Sequence, residues 1–295
     1  MNWWKDLKGK VRQGELLKRH TTFKIGGPAK LFIEPLDRDD LKSLLTLKKR
    51  YKIPLLLIGA GSNILVSSKV INAVVVRLSS PFFKKISFCG NILEAGSGTL
   101  LRDAILAAAR RGLSGGEFLA GIPGTLGGAL VMNAGMGNSD FSIGDLVESI
   151  EAMDYHGKVI RLTKKDIKFG YRCSNLTKYI ILSVRLRLAR RTKRQAMGKI
   201  KEYWLCRRLV QDLSSPNAGC IFKNPPGYSA GRLIDSCGLK GRKAGGARIS
   251  LKHANFILND HQADSADVLR LMQLVGKQVK AKFKVNLEPE IKVWS

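Results

Sequence analysis

Acidic residues, histidines and paired cysteines are all scarce in this sequence, and each shortage closes off a chemistry. Only His20, His156, His253 and His261 are present, and no two stand at metal-ligand spacing, so no metal centre is expected. The five cysteines (89, 173, 206, 220 and 237) are odd in number and include no C-x-x-C pair. That argues against a zinc site and a disulfide framework, and points to the reducing cytoplasm. The opening MNWWKDLKGKVRQGELLKRH has no apolar run of signal-peptide length; Trp3 and Trp4 are expected to dock this segment on the body. Internal repeats and low-complexity tracts are also missing.

The sharpest absence is local. Between Phe118 and Ser139, FLAGIPGTLGGALVMNAGMGNS carries no charged side chain, although the whole chain holds 51 Lys and Arg and 23 Asp and Glu. A membrane span is excluded, because Gly121, Gly124, Gly127, Gly128, Gly135 and Gly137 each cost a helix about 1 kcal/mol and Pro123 about 3. Two readings remain: a tightly packed buried turn region, or a backbone lining for a ligand.

What is present sets the class. A hydrophobic content of 44% with 25% charged residues marks a soluble globular chain, and 295 residues suffice for two domains. The net charge of +28 suits polyanions or anionic small molecules. The charges scatter, however, and no helix-turn-helix, zinc finger or RNP-type strand accompanies them, so no specific nucleic-acid partner and no membrane partner is expected.

Strand and helix signals mix throughout, which gives an α+β architecture. KLFIEP (30–35), IPLLLIG (53–59), AVVVRL (73–78) and NILEAGSG (91–98) read as strands. Asp37 should cap a helix bearing Leu41, Leu44 and Leu45. Thr99 should cap another, with Leu100, Leu101, Ala104, Ile105 and Ala108 on its apolar face and Gly112 at its end. IEAMDYHGKVIRL (150–162) reads as two strands around a His-Gly turn. In YIILSVRLRL (179–188), alternation puts Leu182, Val184, Leu186 and Leu188 on one face. A basic helix to about 211 follows the composition shift at RRTKRQ. Asp264 then opens a helix with Val268, Leu271, Met272, Val275 and Val279 on one stripe, and 284–294 is extended.

Two glycine-rich elements carry chemistry. GAGSNIL (59–65) follows a strand like half of a dinucleotide fingerprint, but position 64 is Ile and no helix opens there. An ordinary strand-to-turn connection and an anion-binding nest of converging N–H groups both remain open. Within the uncharged stretch, three tight turns make a small apolar wall suited to a planar anionic cofactor.

HTTFKIGGPA (20–29), GAGSNILV (59–66), LAGIPGTLGGALVMNAG (119–135), YRCS (171–174), AGCIFKNP (218–225), SAGRLID with GLKGRKAGGARISLKHANFILN (229–259) and LEPEI (287–291) occur in order. Together they resemble the UDP-N-acetylenolpyruvoylglucosamine reductase family, the UDP-N-acetylmuramate dehydrogenases of peptidoglycan precursor synthesis. The resemblance implies a PCMH-type (vanillyl-alcohol-oxidase-like) FAD-binding domain of two subdomains over 1–190, split near 75. It also implies a C-terminal α+β substrate-binding domain over 191–295, whose last strand (284–294) is a candidate to return to the FAD domain. FAD would be held non-covalently by Gly59, Ala60, Gly61, Ser62, Asn63, Ile122, Pro123, Gly124, Thr125, Gly128, Asn133, Ala134 and Gly135. NADPH would be the co-substrate and the enolpyruvyl ether of UDP-N-acetylglucosamine the substrate, bound by Tyr171, Lys223 and Asn224, in a cytoplasmic monomer.

Arg172, Cys220 and Glu290 match the family's catalytic positions. Arg172 would stabilise charge on the enol-carboxylate, Glu290 would hydrogen-bond that carboxylate, and Cys220 stands where the family usually has a proton-donating serine. A thiol, with a pKa of about 8.5, gives up its proton more readily than a hydroxyl. Taken singly, each residue also has a plainer reading: Arg172 and Glu290 as solvated charges, Cys220 as a small buried hydrophobe. Arg232, Lys240, Arg242 and His253 lie in the same motifs. Another flavoenzyme of the same fold, and a basic nucleic-acid scaffold, are the alternatives to a reductase.

Overall fold

The computed structural model describes residues 3–135 and 141–295, so residues 136–139 of the uncharged stretch, Gly137 among them, lie outside the described residues. The chain forms two units from interleaved segments. Met1–Gln13, Leu31–Ala60 and Ala73–Cys206 make the first; Gly14–Lys30, Gly61–Asn72 and Arg207–Ser295 make the second.

In the first unit the residues with the clearest period-2 pattern build an antiparallel five-stranded sheet, in the order Val159–Thr163, Val147–Asp154, Tyr179–Arg187, Ile92–Gly96, Ile86–Cys89. The expected His-Gly turn joins the first two: Gly157 takes φ +88°, and the Asp154 carboxylate accepts the N–H groups of His156 and Lys158. The Tyr179–Arg187 strand departs from simple alternation. Its register with Val147–Asp154 shifts between Ile181 and Ser183. This bulge turns Leu182 into one core, with Met153 and Ile180, while Val184 and Leu186 face another. Leu182 and Val184 therefore do not share a face.

The helix Leu101–Arg110 covers the second of these cores with Leu101, Ala104, Ile105 and Ala108. Thr99 is not its cap. The capping position falls on Leu100, without a side-chain bond, and Leu100 is 44% exposed rather than on the apolar face. Thr99 is instead buried, its carbonyl taken by the N–H of Leu126. Gly112 closes the helix at φ +71°.

The other core of this unit lies under the helix Arg38–Arg50. Asp37 caps it as expected, accepting from Asp40 N–H at 2.9 Å, an arrangement worth about 1 kcal/mol. Leu41, Leu44 and Leu45 pack on Leu31, Ile33, Val74, Val76 and Phe83, and Trp3 and Trp4 lean on the same core. Each fully buried leucine contributes about 2 kcal/mol of burial free energy.

The second unit has its own core around the helix Ser265–Phe283. Asp264 and Asp267 cap its start reciprocally, and the stripe Val268, Leu271, Met272, Val275, Val279 is buried throughout. A four-stranded sheet packs there, ordered Asn217–Cys220, Phe256–Asn259, Ala247–Ile249, Lys243–Ala244. The closing segment forms a strand only over Lys292–Trp294, pairing in parallel with Ile64–Val66. No helix of the described residues is long and apolar enough to cross a membrane.

Candidate active site

In the first unit, the glycine-rich wall begins at a tight contact. A Cβ on Gly59 would stand 2.6 Å from Thr125 Oγ1, so only glycine lets the 59–60 segment lie against that residue. Thr125 caps the short helix Leu126–Val131, accepting from Gly128 N–H at 3.3 Å. Segment 97–99 runs beside it: Gly127 N–H donates to the Ser97 carbonyl at 2.8 Å, and Leu126 N–H to that of Thr99 at 2.9 Å. The hydroxyls of Ser97 and Thr99 are buried and have no hydrogen-bond partner among the described residues. Unpaired buried hydroxyls are costly, and two beside one glycine turn leave donors and acceptors for a bound polar group.

Beyond that helix the chain reaches Asn133, in left-handed conformation at φ +44° and buried. Its side chain ties two further segments, donating to the Gly170 carbonyl and accepting from Gly144 N–H, each at 3.1 Å. Gly170 is one foot of the hairpin Phe169–Gly170 and Cys173–Ser174, whose turn is Tyr171–Arg172. Ser174 Oγ pins the other foot to the Val131 carbonyl at 3.0 Å. Arg172 itself stands at φ +54°, which costs a residue with a side chain about 1 kcal/mol or more. Its guanidinium donates to the Gly135 carbonyl at 2.9 Å and lies 5.3 Å from the Tyr171 ring. The structure thus brings Arg172, Tyr171, Asn133 and Gly135 together.

In the second unit, Gly61 at φ +64° is forced by crowding, since a Cβ there would sit 2.0 Å from the His20 carbonyl. Asn63 continues this loop onto LEPEI: its Nδ2 donates to the Glu290 carbonyl at 3.2 Å, and its own carbonyl accepts from Lys292 N–H. Cys220 ends the strand Asn217–Cys220 after an irregularity in register, with Gly219 at φ +77°. Just past it, the chain pairs with LEPEI. Glu290 N–H donates to the Ile221 carbonyl at 2.8 Å and Lys223 N–H to the Glu288 carbonyl at 2.9 Å, flanking the Phe222–Pro289 bridge. Pro289 has no N–H, so the pairing falls to its neighbours. Lys223 Nζ also meets Glu288 Oε1 at 2.5 Å. Asn224 accepts from Ala230 N–H at 3.0 Å and so fixes the start of helix Ala230–Ser236.

Two kinds of residue were missed by sequence reasoning. Asn255 clamps Phe222, accepting its N–H at 3.0 Å and donating to its carbonyl at 2.7 Å. Ser97 and Thr99 supply the unpaired hydroxyls. The signal for Asn255 was a lone amide within the apolar run ANFIL, since a buried polar group needs a partner. Burial pushes the His253 pKa below its ordinary value, with the Lys240 charge adding to the effect. No group of three or more His, Cys, Asp or Glu among the described residues could hold a metal.

Residues 29–163 match a family model described as a FAD binding domain, and residues 211–294 match the C-terminal domain of UDP-N-acetylenolpyruvoylglucosamine reductase. The reductase of Caldanaerobacter subterraneus subsp. tengcongensis is 43% identical over 97% of this chain and 94% of its own length. The chain belongs to the UDP-N-acetylenolpyruvoylglucosamine reductase family. Reductase 2 of Symbiobacterium thermophilum is 41% identical over 97% of the chain and 92% of its own. The crystal structure of the Thermus caldophilus reductase covers 98% of this chain and all of its own, with TM-score 0.82 and 38% identity. The expected α+β fold, a FAD-binding domain followed by a C-terminal domain, agrees with these matches. The unpaired hydroxyls of Ser97 and Thr99 and the uncharged glycine turns fit FAD: they offer polar partners with no side-chain charge to desolvate.

Proposed function

We propose that this chain catalyses the NADPH-dependent reduction of UDP-N-acetylglucosamine enolpyruvate to UDP-N-acetylmuramate, in peptidoglycan precursor synthesis. Family membership over nearly the whole chain supports the reaction class. One local observation carries the residue-level reading: the Glu290 N–H to Ile221 carbonyl bond sets the acid of LEPEI beside the segment of Cys220.

When bound, FAD would supply the hydride chemistry between nicotinamide and the enolpyruvyl carbon. We assign its holding to loops 59–63 and 122–135, with Ser97 and Thr99 added to the residues expected from sequence. Arg172 opposes the negative charge that builds on the substrate carboxylate; its tether to Gly135 fixes the guanidinium in advance, so little reorganisation is needed. Glu290 hydrogen-bonds that carboxylate. Cys220 Sγ gives its proton to the carbon next to the carboxylate and is left as thiolate, to be reprotonated from solvent. Tyr171, Lys223 and Asn224 orient the substrate. The odd number of cysteines and the lack of a C-x-x-C pair support a reducing, cytoplasmic setting.

The test is an anaerobic titration. The purified protein should be yellow, bleach with NADPH, and regain its colour with the enolpyruvyl substrate but not through simple alcohols. Folded protein that is colourless and takes up no added FAD would overturn the reading.

A further inference from the structure

One element gives only a narrow edge to the core. The helix Lys193–Val210 has a single fully buried residue, Ala196. Ile200 and Tyr203 lean on the first unit's core. Along the rest of the helix, Trp204, Leu205, Leu209 and Val210 are 47%, 45%, 76% and 58% exposed. Folding does not explain large apolar side chains gathered at the solvated end of a helix.

The charge around them is one-sided. From Arg187 to Arg208 the chain has nine Lys and Arg against one acid, Glu202. The pairing of Arg190 with Leu113, and the bond from Arg191 N–H to the Gly112 carbonyl, bring the exposed Arg110 and Arg111 next to this run. Against the helix, Leu106, Ala120, Met197 and Trp204 line an apolar recess together with Arg102 and Lys201. Cations and apolar groups thus occur side by side at two places on one helix.

We propose that this helix is a peripheral docking surface for a membrane of anionic phospholipid. The Lys and Arg side chains meet headgroup phosphates, while Leu205 and Leu209, on the face turned away from buried Ala196, enter the boundary between headgroups and acyl chains with Trp204 at its edge. Charge complementarity sets the sign of the partner. The exposed leucines set its class, because a nucleic-acid backbone matches the cations equally well but offers Leu205 and Leu209 no apolar phase.

Sedimentation of the FAD-loaded protein with vesicles tests this. Vesicles of equimolar phosphatidylglycerol and phosphatidylcholine should bind at least about tenfold more protein than phosphatidylcholine alone, and added salt should weaken the binding. Combining Leu205→Glu with Leu209→Glu should lower binding by about tenfold or more, with flavin absorbance and turnover unchanged. If that variant does not fold, Lys199→Glu and the two-vesicle comparison decide: no preference for anionic vesicles, or no loss in the variant, overturns the proposal. Binding of duplex RNA in preference to anionic vesicles, unaltered by the leucine substitutions, also overturns it and assigns the cations to nucleic acid.

Discussion

Asn133 and Asn255 do comparable jobs in the two units by different means. Asn133, itself at φ +44°, ties segments around 144 and 170 that no strand ladder among the described residues joins, and so holds a turn in which Arg172 is conformationally strained. Asn255 bonds both backbone groups of Phe222 just beyond the Cys220–Phe256 pair, so that its side chain extends a strand ladder by one step. The first unit offers backbone turns free of charge and keeps one cation at their end. The second presents side chains from paired strands, where register rather than turn geometry decides position. The contrast teaches that a cradle is made by excluding side chains, and a reactive group by fixing its neighbours.

The strongest test of the contrast is chemical. If the second unit works through a side chain, Cys220→Ala should lower reoxidation of prereduced flavin by the enolpyruvyl substrate by about 10²-fold or more, while NADPH bleaching stays intact. Cys220→Ser should recover much of the loss. Near-full activity in Cys220→Ala would remove the thiol from the mechanism and leave the second unit only a binding role.

Next in size is the loss of the ladder extension. Asn255→Ala leaves the N–H and carbonyl of buried Phe222 without their partner, at about 1–3 kcal/mol for each group. Urea unfolding should register a loss of about 3 kcal/mol, and the half-reaction that needs Cys220 should slow more than flavin reduction by NADPH. Equal slowing of both would mean that Asn255 supports the fold without supporting the register of the reactive segment.

These tests concern features of unequal legibility. Asp264 with its five-residue stripe, Asp37 with Leu41, Leu44 and Leu45, and the His-Gly turn could be read locally, because periodicity and capping act over a few residues. The direction of Leu182 could not, since a bulge depends on the neighbouring strand. Nor could the interleaving of 14–30 and 61–72 with the distant segment 207–295: Ile64–Val66 is an ordinary apolar triplet until Lys292–Trp294 pairs with it. At the site, the motifs named Arg172, Cys220 and Glu290 and also contained Gly135, Ile221 and Asn255, but not which of them bond to one another across long loops. Such pairings leave no spacing signature.

A smaller effect sharpens the first unit's side. Asn133→Gly keeps the left-handed backbone while deleting both amide bonds; Asn133→Ala deletes them and adds strain. Melting should register about 2 kcal/mol lost for the glycine variant and about 1 more for alanine. Equal melting temperatures for the two would show that the bonds, not the backbone conformation, carry the residue's whole contribution.

The smallest expected effect separates the units by pH. His253 is pushed below the ordinary imidazole pKa of 6.5, first by burial and then by Lys240, so the folded state favours its neutral form. Below that pKa the unfolded chain binds the proton more readily. The resulting stability is therefore present above the unfolded pKa and is lost as pH falls toward the depressed folded value. No comparable histidine packs in the first unit's cores, where His156 sits at an exposed turn. Urea midpoints at about pH 7.5 and about pH 5.5 should differ less in His253→Gln than in the parent chain. An unchanged difference would place the acid lability elsewhere, with Asp212 and Glu34 the next groups to test, since their lowered carboxyl pKa values also tie stability to the ionised form.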